Sequence, residues 1–194
     1  TQEREGELVR SMGCFDRLYI RFYRHDIATG ILTREQAKEL LKFFWIKFYA
    51  KTQGLQAGKN FCFGGLLPDG SDAVNELTFL AYETYRGLRV VDPKLTMRVH
   101  ANSPRAMLRK TAECLKSGLT ATVFMNDDVL FPLFRKRGKA EEDLCNYVAI
   151  GCYEPAIMGR EMCCSMTVIF NLAKVLELLL HGGSDPATRI RLFD

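Results

Sequence analysis

The segment Gly151-Cys152-Tyr153-Glu154-Pro155 sets a thiol and a carboxylate two positions apart, directly after the apolar run Tyr147-Val148-Ala149-Ile150. The run reads as a buried strand. If the chain stays extended past it, side chains at i and i+2 project to one side, about 6 to 7 Å apart, so Cys152 and Glu154 face one pocket and Tyr153 points away. Pro155 favours that geometry by pushing the preceding residue out of the helical region, and Gly151 permits a close backbone approach.

Three roles are open to Cys152. It can be a structural thiol, since cysteine commonly behaves as a small buried hydrophobe. As a two-electron nucleophile it needs a thiolate, hence a histidine or a positive helix end nearby, and an adjacent carboxylate opposes a second negative charge. As a hydrogen-atom donor and acceptor it needs a neutral thiol, a dry pocket and often a separate base for a substrate proton, which Glu154 supplies.

The whole chain narrows the setting. At 194 residues, with 47% hydrophobic and 26% charged residues, it can bury one core of ordinary size, which excludes disordered and fibrous classes. The net charge of +4 is spread along the sequence, which argues against a nucleic-acid face. Seven cysteines form no C-x-x-C pair and three histidines show no metal-ligand spacing, so no metal site is expected and the thiols suit a reducing cytoplasm. No apolar run reaches the roughly 18 to 20 residues of a membrane span, and no signal-peptide pattern is present. The chain opens on Thr1 and ends shortly after an apolar helix, and we expect a fragment of a longer protein.

The elements that must position Cys152 and Glu154 are legible in outline. Thr33-Arg34-Glu35-Gln36 is a capping box before a helix with Ala37, Leu40, Leu41, Phe44, Trp45 and Phe48 on one face. Asp72 caps a second helix that runs to Gly87. Residues 95–99 read as a strand, Ser103-Pro104 opens a helix ending near Gly118, and residues 120–124 read as the next strand, which makes a βαβ unit. A helix from Asp127 or Asp128 to Gly138 and a short turn at 140–144 lead to a third strand at 147–150. A last helix spans 167–181 and is closed by Gly182-Gly183. Such alternation predicts an α/β fold with a parallel sheet or barrel.

Reactive groups in parallel α/β folds collect at the carboxyl ends of the strands. Those ends carry Arg98 and His100, Asn126 and Asp127, and Cys152 and Glu154, so three polar clusters are expected on one rim. Arg98, His100, Asn126, Asp127 and Ser165 are candidates for substrate binding. Each has a plainer reading: backbone hydrogen bonding for Arg98 and His100, and helix capping for Asn126, Asp127, Ser165 and Thr167. His181 suits a helix C-terminus.

The Gly-Cys-x-Glu-Pro segment, followed by residues 170–178 (FNLAKVLEL), resembles the active-site cysteine loop of the glycyl radical enzymes. Further blocks are similar in the same order: residues 30–33 with Leu40, Leu41 and Trp45, then 72–77, 95–100, Ser103-Pro104 and 124–127, so the resemblance covers about residues 20 to 185. It implies part of a ten-stranded α/β barrel in which Cys152 becomes a thiyl radical and Glu154 is the general base. The whole of residues 1–194 would be a partial barrel domain of pyruvate formate-lyase type, lacking an N-terminal part and the C-terminal glycyl radical domain. No directly bound cofactor is implied; the radical would reside on a glycine in an Arg-Val-x-Gly-Tyr-type loop, which residues 189–194 do not match.

Pyruvate formate-lyase itself carries two adjacent cysteines where this chain has Gly151-Cys152, and Cys163-Cys164 lies eleven residues further on, better read as core or loop filling. The departure resembles the dehydratase and carbon–heteroatom lyase branch, which acts on diols, choline, hydroxyproline or isethionate. The expected partners are therefore a small hydroxylated substrate and a radical S-adenosylmethionine activating enzyme, with no nucleic acid and no membrane; a homodimer is among the open oligomeric states. The alternatives are a formate C-acetyltransferase, an inactive barrel remnant, a hydrolase or transferase pairing Cys152 with His100, and a non-catalytic interaction domain.

Overall fold

A computed structural model describes residues 10–50, 59–119, 121–161 and 171–193. Four strands, β1 (Arg10–Cys14), β2 (Lys59–Gly64), β3 (Lys94–Val99) and β4 (Thr122–Asn126), form one parallel sheet in sequence order. Helices α1 (Phe15–Ala28) and α2 (Arg34–Ala50) lie between β1 and β2, α3 (Glu76–Arg86) between β2 and β3, and α4 (Arg105–Lys116) between β3 and β4. Helix α5 (Asp127–Lys136) and a 3-10 turn, Glu141–Asn146, lead to an antiparallel hairpin of β5 (Tyr147–Ile150) and β6 (Glu154–Ile157). Helix α6 (Leu172–Leu180) follows.

Two-residue alternation in β2 and β3 gives the sheet two unlike faces. Phe61, Phe63, Leu95 and Met97 point to the helices and join Phe15, Trp45, Leu77, Leu80 and Tyr82 in the main core. Trp45 is completely buried, and its indole N–H donates to Thr84 Oγ1 at 3.0 Å, so the largest apolar side chain enters the core with its polar atom satisfied. On the opposite face lie Asn60, Cys62, Lys94, Thr96 and Arg98, and these too are buried, because the β5–β6 hairpin packs over them.

The local signals hold where short-range chemistry decides. Thr33 and Gln36 form the expected reciprocal cap before α2, although Leu40 is 55% exposed rather than part of the buried face. The cap of α3 is Asn75, paired with Thr78 in a capping box, and not Asp72, whose carboxylate is taken by the Val74 amide and by His100. Gly87 ends α3 as expected. Strand β4 begins at Thr122; Thr120, where the apolar pattern started it, lies outside the described residues. Helix α6 starts at Leu172 with Asn171 as its cap; residues 167–170 lie outside the described residues.

The third predicted strand exists but has a different place. It does not extend the parallel sheet. It pairs antiparallel with β6, with Ile150 opposite Glu154 and Tyr147 opposite Ile157.

Candidate active site

Cys152 sits at the apex of this hairpin. Gly151 has φ 48° and Tyr153 φ 83°, both left-handed, and the Tyr153 amide donates to Ile150 O at 2.7 Å. The chain therefore turns at 151–153 and does not continue extended, so the same-side argument for Cys152 and Glu154 is replaced by a different one: they are neighbours at a tight hairpin tip. Both are exposed, and Cys152 is the only exposed cysteine among the described residues.

The hairpin is fastened to the polar face of the sheet at three levels. At the tip, Gly151 O accepts from Asn60 Nδ2 at 2.7 Å and from Lys94 Nζ at 2.8 Å, and the Lys94 ammonium lies 4.6 Å from the centre of the Tyr153 ring. Midway, the Ala149 amide donates to Cys62 Sγ at 3.1 Å within an apolar cluster of Cys14, Cys62, Val148 and Ala149. Burial pushes the titration of both the Cys14 and Cys62 thiols up, so they stay protonated and pack as small apolar groups.

At the base, Arg98 and Asp127 form an ion pair with both side chains fully buried, through Nε to Oδ1 at 3.1 Å and Nη2 to Oδ2 at 2.9 Å. Arg98 Nη1 also donates to Cys145 O at 2.8 Å, and its guanidinium stacks 4.0 Å from the Tyr147 ring centre. Asp127 accepts further from Tyr147 Oη at 2.6 Å and from the Leu66 amide at 2.7 Å. Arg17 reaches the same corner, donating to Cys145 O and Asn146 Oδ1. A buried ion pair is tolerable when extra hydrogen bonds satisfy its remaining lone pairs and protons, as here.

These contacts fix the direction of β5. Its start lies over Arg98 near the carboxyl end of β3, and its tip lies over Asn60 and Lys94 at the amino ends of β2 and β3. The expectation of a single carboxyl-end rim is thus corrected: Cys152 and Glu154 stand at the other end of the sheet, four residues or about 13 Å of strand away from the Arg98 network. His100, at the carboxyl end of β3, hydrogen-bonds Asp72 Oδ2 through Nε2 at 2.7 Å while Nδ1 accepts from the Asn102 amide, so the structure does not bring it to Cys152 as a hydrolase would require. Asn126 caps α5 by accepting from the Asp128 amide at 2.9 Å. Ser165, Cys163 and Cys164 lie outside the described residues. Among the described residues, no three His, Cys, Asp or Glu side chains gather as a metal site.

Comparison with known proteins settles the affiliation. The sequence matches the family described as "Pyruvate formate lyase-like" along residues 1–194. This chain belongs to the pyruvate formate lyase-like glycyl radical enzymes. Among such enzymes, it is 31% identical to an isethionate sulfite-lyase of Oleidesulfovibrio alaskensis, over 94% of this chain and 23% of that protein. The crystal structure of a glycyl radical enzyme from Archaeoglobus fulgidus superposes with a TM-score of 0.76 at 32% identity, covering 92% of this chain and 25% of the other. A Roseburia inulinivorans structure, described for 1,2-propanediol dehydration, gives 0.77 at 30% identity, covering 91% and 24%. The chain thus spans about a quarter of the length of these relatives, and its α/β architecture is part of the glycyl radical enzyme barrel fold.

Sequence reasoning read Tyr147 only as part of an apolar strand and passed over Asn60, Cys62 and Lys94, all of which hold the hairpin. A signal existed: polar residues alternate with apolar ones in 94–98 (KLTMR), which ordinarily marks a solvent face.

Proposed function

We propose that this chain is the cysteine-loop portion of a barrel enzyme that performs elimination on a small hydroxylated substrate, with Cys152 as hydrogen-atom carrier and Glu154 as base. The observation that supports this most is Cys152 at the apex of a hairpin anchored at tip, middle and base, with Glu154 beside it. A thiol that must exchange a hydrogen atom with substrate needs exposure at its sulfur and rigidity behind it.

A glycyl radical elsewhere in the full-length protein, generated by a radical S-adenosylmethionine partner, takes the hydrogen atom of the Cys152 thiol, so that a glycine Cα–H bond forms as the S–H bond breaks and Cys152 becomes a thiyl. Cys152 then takes a hydrogen atom from a carbon bearing a hydroxyl group, forming S–H and leaving a carbon radical. Glu154 accepts the hydroxyl proton. The electron-rich radical expels a leaving group with its bonding electron pair from the neighbouring carbon, and Cys152 returns the hydrogen atom to the product radical. Glycine at 151 sets the chain apart from an enzyme with paired cysteines, and the similar isethionate sulfite-lyase is in keeping with elimination.

In this reading Arg98 and Asp127 position the hairpin base, and His100 and Asn126 order the loops at the carboxyl end. Residues 1–194 are then a partial barrel domain of a cytoplasmic enzyme; among the described residues no helix is long and apolar enough to cross a membrane. The test is turnover of isethionate, propane-1,2-diol and hydroxyproline by the anaerobically activated full-length protein. Cys152→Ala should abolish turnover and leave the glycyl radical signal intact, and Glu154→Gln should lower kcat at least a hundredfold. Turnover retained by Cys152→Ala would refute the assignment.

A further inference from the structure

The Cys152 turn is built against its own local preference. A three-residue hairpin loop ordinarily places glycine at its left-handed third position, but this loop places Tyr153 there, at φ 83°. A side chain persists in that region only where its surroundings over-determine it.

The surroundings here are specific. Lys94 is 2% exposed, an almost wholly desolvated ammonium, and it meets the turn twice, through Gly151 O and through the Tyr153 ring. Asn60 is completely buried, and Thr96 Oγ1 donates to its Oδ1 at 3.3 Å, which fixes the amide so that Nδ2 aims at the same Gly151 carbonyl. Two buried donors from adjacent strands converge on the one carbonyl that immediately precedes Cys152. Burying a lysine is unfavourable unless its charge is engaged, and here a backbone carbonyl and an aromatic face engage it.

We propose that Lys94, assisted by Asn60, is a positioning residue that locks the Cys152 turn in the conformation from which the thiol works. The working role of Cys152 rests on the function proposed above, whereas the lock itself does not. Lys94 touches neither Cys152 nor substrate in this account; it acts through Gly151 O and Tyr153.

The test is residue-resolved hydrogen exchange of the full-length protein before activation, followed by steady-state kinetics after it. Lys94→Met, which keeps the apolar stem, should raise exchange of the Tyr153 amide at least tenfold while amides at the hairpin base, Ile157 and Met158, stay within twofold of wild type. Lys94→Arg should restore protection, and Asn60→Ala should reproduce the Lys94→Met pattern at smaller amplitude, which keeps the idea testable should Lys94→Met not fold. After activation, Lys94→Met should lower kcat about tenfold with KM within twofold. Unchanged Tyr153 exchange, acceleration spread equally over the hairpin, or local acceleration with unchanged kcat would each overturn the proposal. Turnover that survives Cys152→Ala would instead refute the radical assignment and leave the exchange result to stand or fall alone.

Discussion

Asp16 illustrates how a single buried carboxylate supports the framework without taking part in the chemistry. It has no exposed surface, accepts from the Gly64 amide and Thr78 Oγ1, each at 2.8 Å, and so ties α1 to the end of β2 and the start of α3. Burial pushes its titration from 3.8 up to about 6, against the lowering effect of those hydrogen bonds. Between these values the folded protein holds a proton that the unfolded chain has released, so this group's contribution to stability falls as pH rises through the window and is restored on acidification. The full effect is on the order of 3 kcal/mol. Asp16→Asn has no such titration, so the stability of the wild type relative to the variant should increase as pH is lowered from 6.5 to 4, measured by urea unfolding at each pH. A constant difference would show that Asp16 titrates normally.

The hairpin is the element on which the site depends, and its base is its most expensive contact to disturb. Arg98→Met leaves the Asp127 carboxylate buried beside Tyr147 without its counter-charge, and should destabilise by about 3–5 kcal/mol. Tyr147→Phe removes one hydroxyl donor from Asp127 and should cost only about 1–2 kcal/mol. Chemical denaturation of both variants checks the order, and an equal loss from each would mean that the ion pair is not what fastens β5. The hairpin was half legible in the sequence. Tyr147 to Ile150 declares a strand by its apolar run, whereas β6 begins at Glu154-Pro155 and carries no strand signature of its own. Its pairing comes from the left-handed conformations of Gly151 and Tyr153, and nothing in a tyrosine announces φ 83°.

For the molecule as a whole, α6 shows what the described residues leave open to solvent. Leu172 is 77% exposed, Leu176 57%, Leu179 62% and Leu180 76%. A contiguous apolar stripe of this kind marks a surface meant to be covered. The 194-residue chain produced alone should therefore bind a hydrophobic dye such as ANS and elute from size exclusion as aggregates. Leu172→Lys with Leu180→Lys should reduce both effects in the isolated chain and impair folding of the full-length protein. An isolated chain that is monomeric and dye-silent would contradict this.

The sequence by itself determined the α/β class, the βαβ rhythm of 94–126, the Thr33 cap and the Gly-Cys-x-Glu-Pro segment, because each depends on residues within a few positions of one another. Tertiary structure alone decided where that segment lies. The alternating face of Asn60, Cys62, Lys94, Thr96 and Arg98 reads as solvent-facing by polarity, and becomes interior only because β5 returns across it and supplies carbonyls and an aromatic ring to satisfy its donors. That return carries Cys152 from the expected carboxyl rim to the amino ends of the strands. Such a reversal depends on partners 47 to 91 positions apart, which no local periodicity encodes.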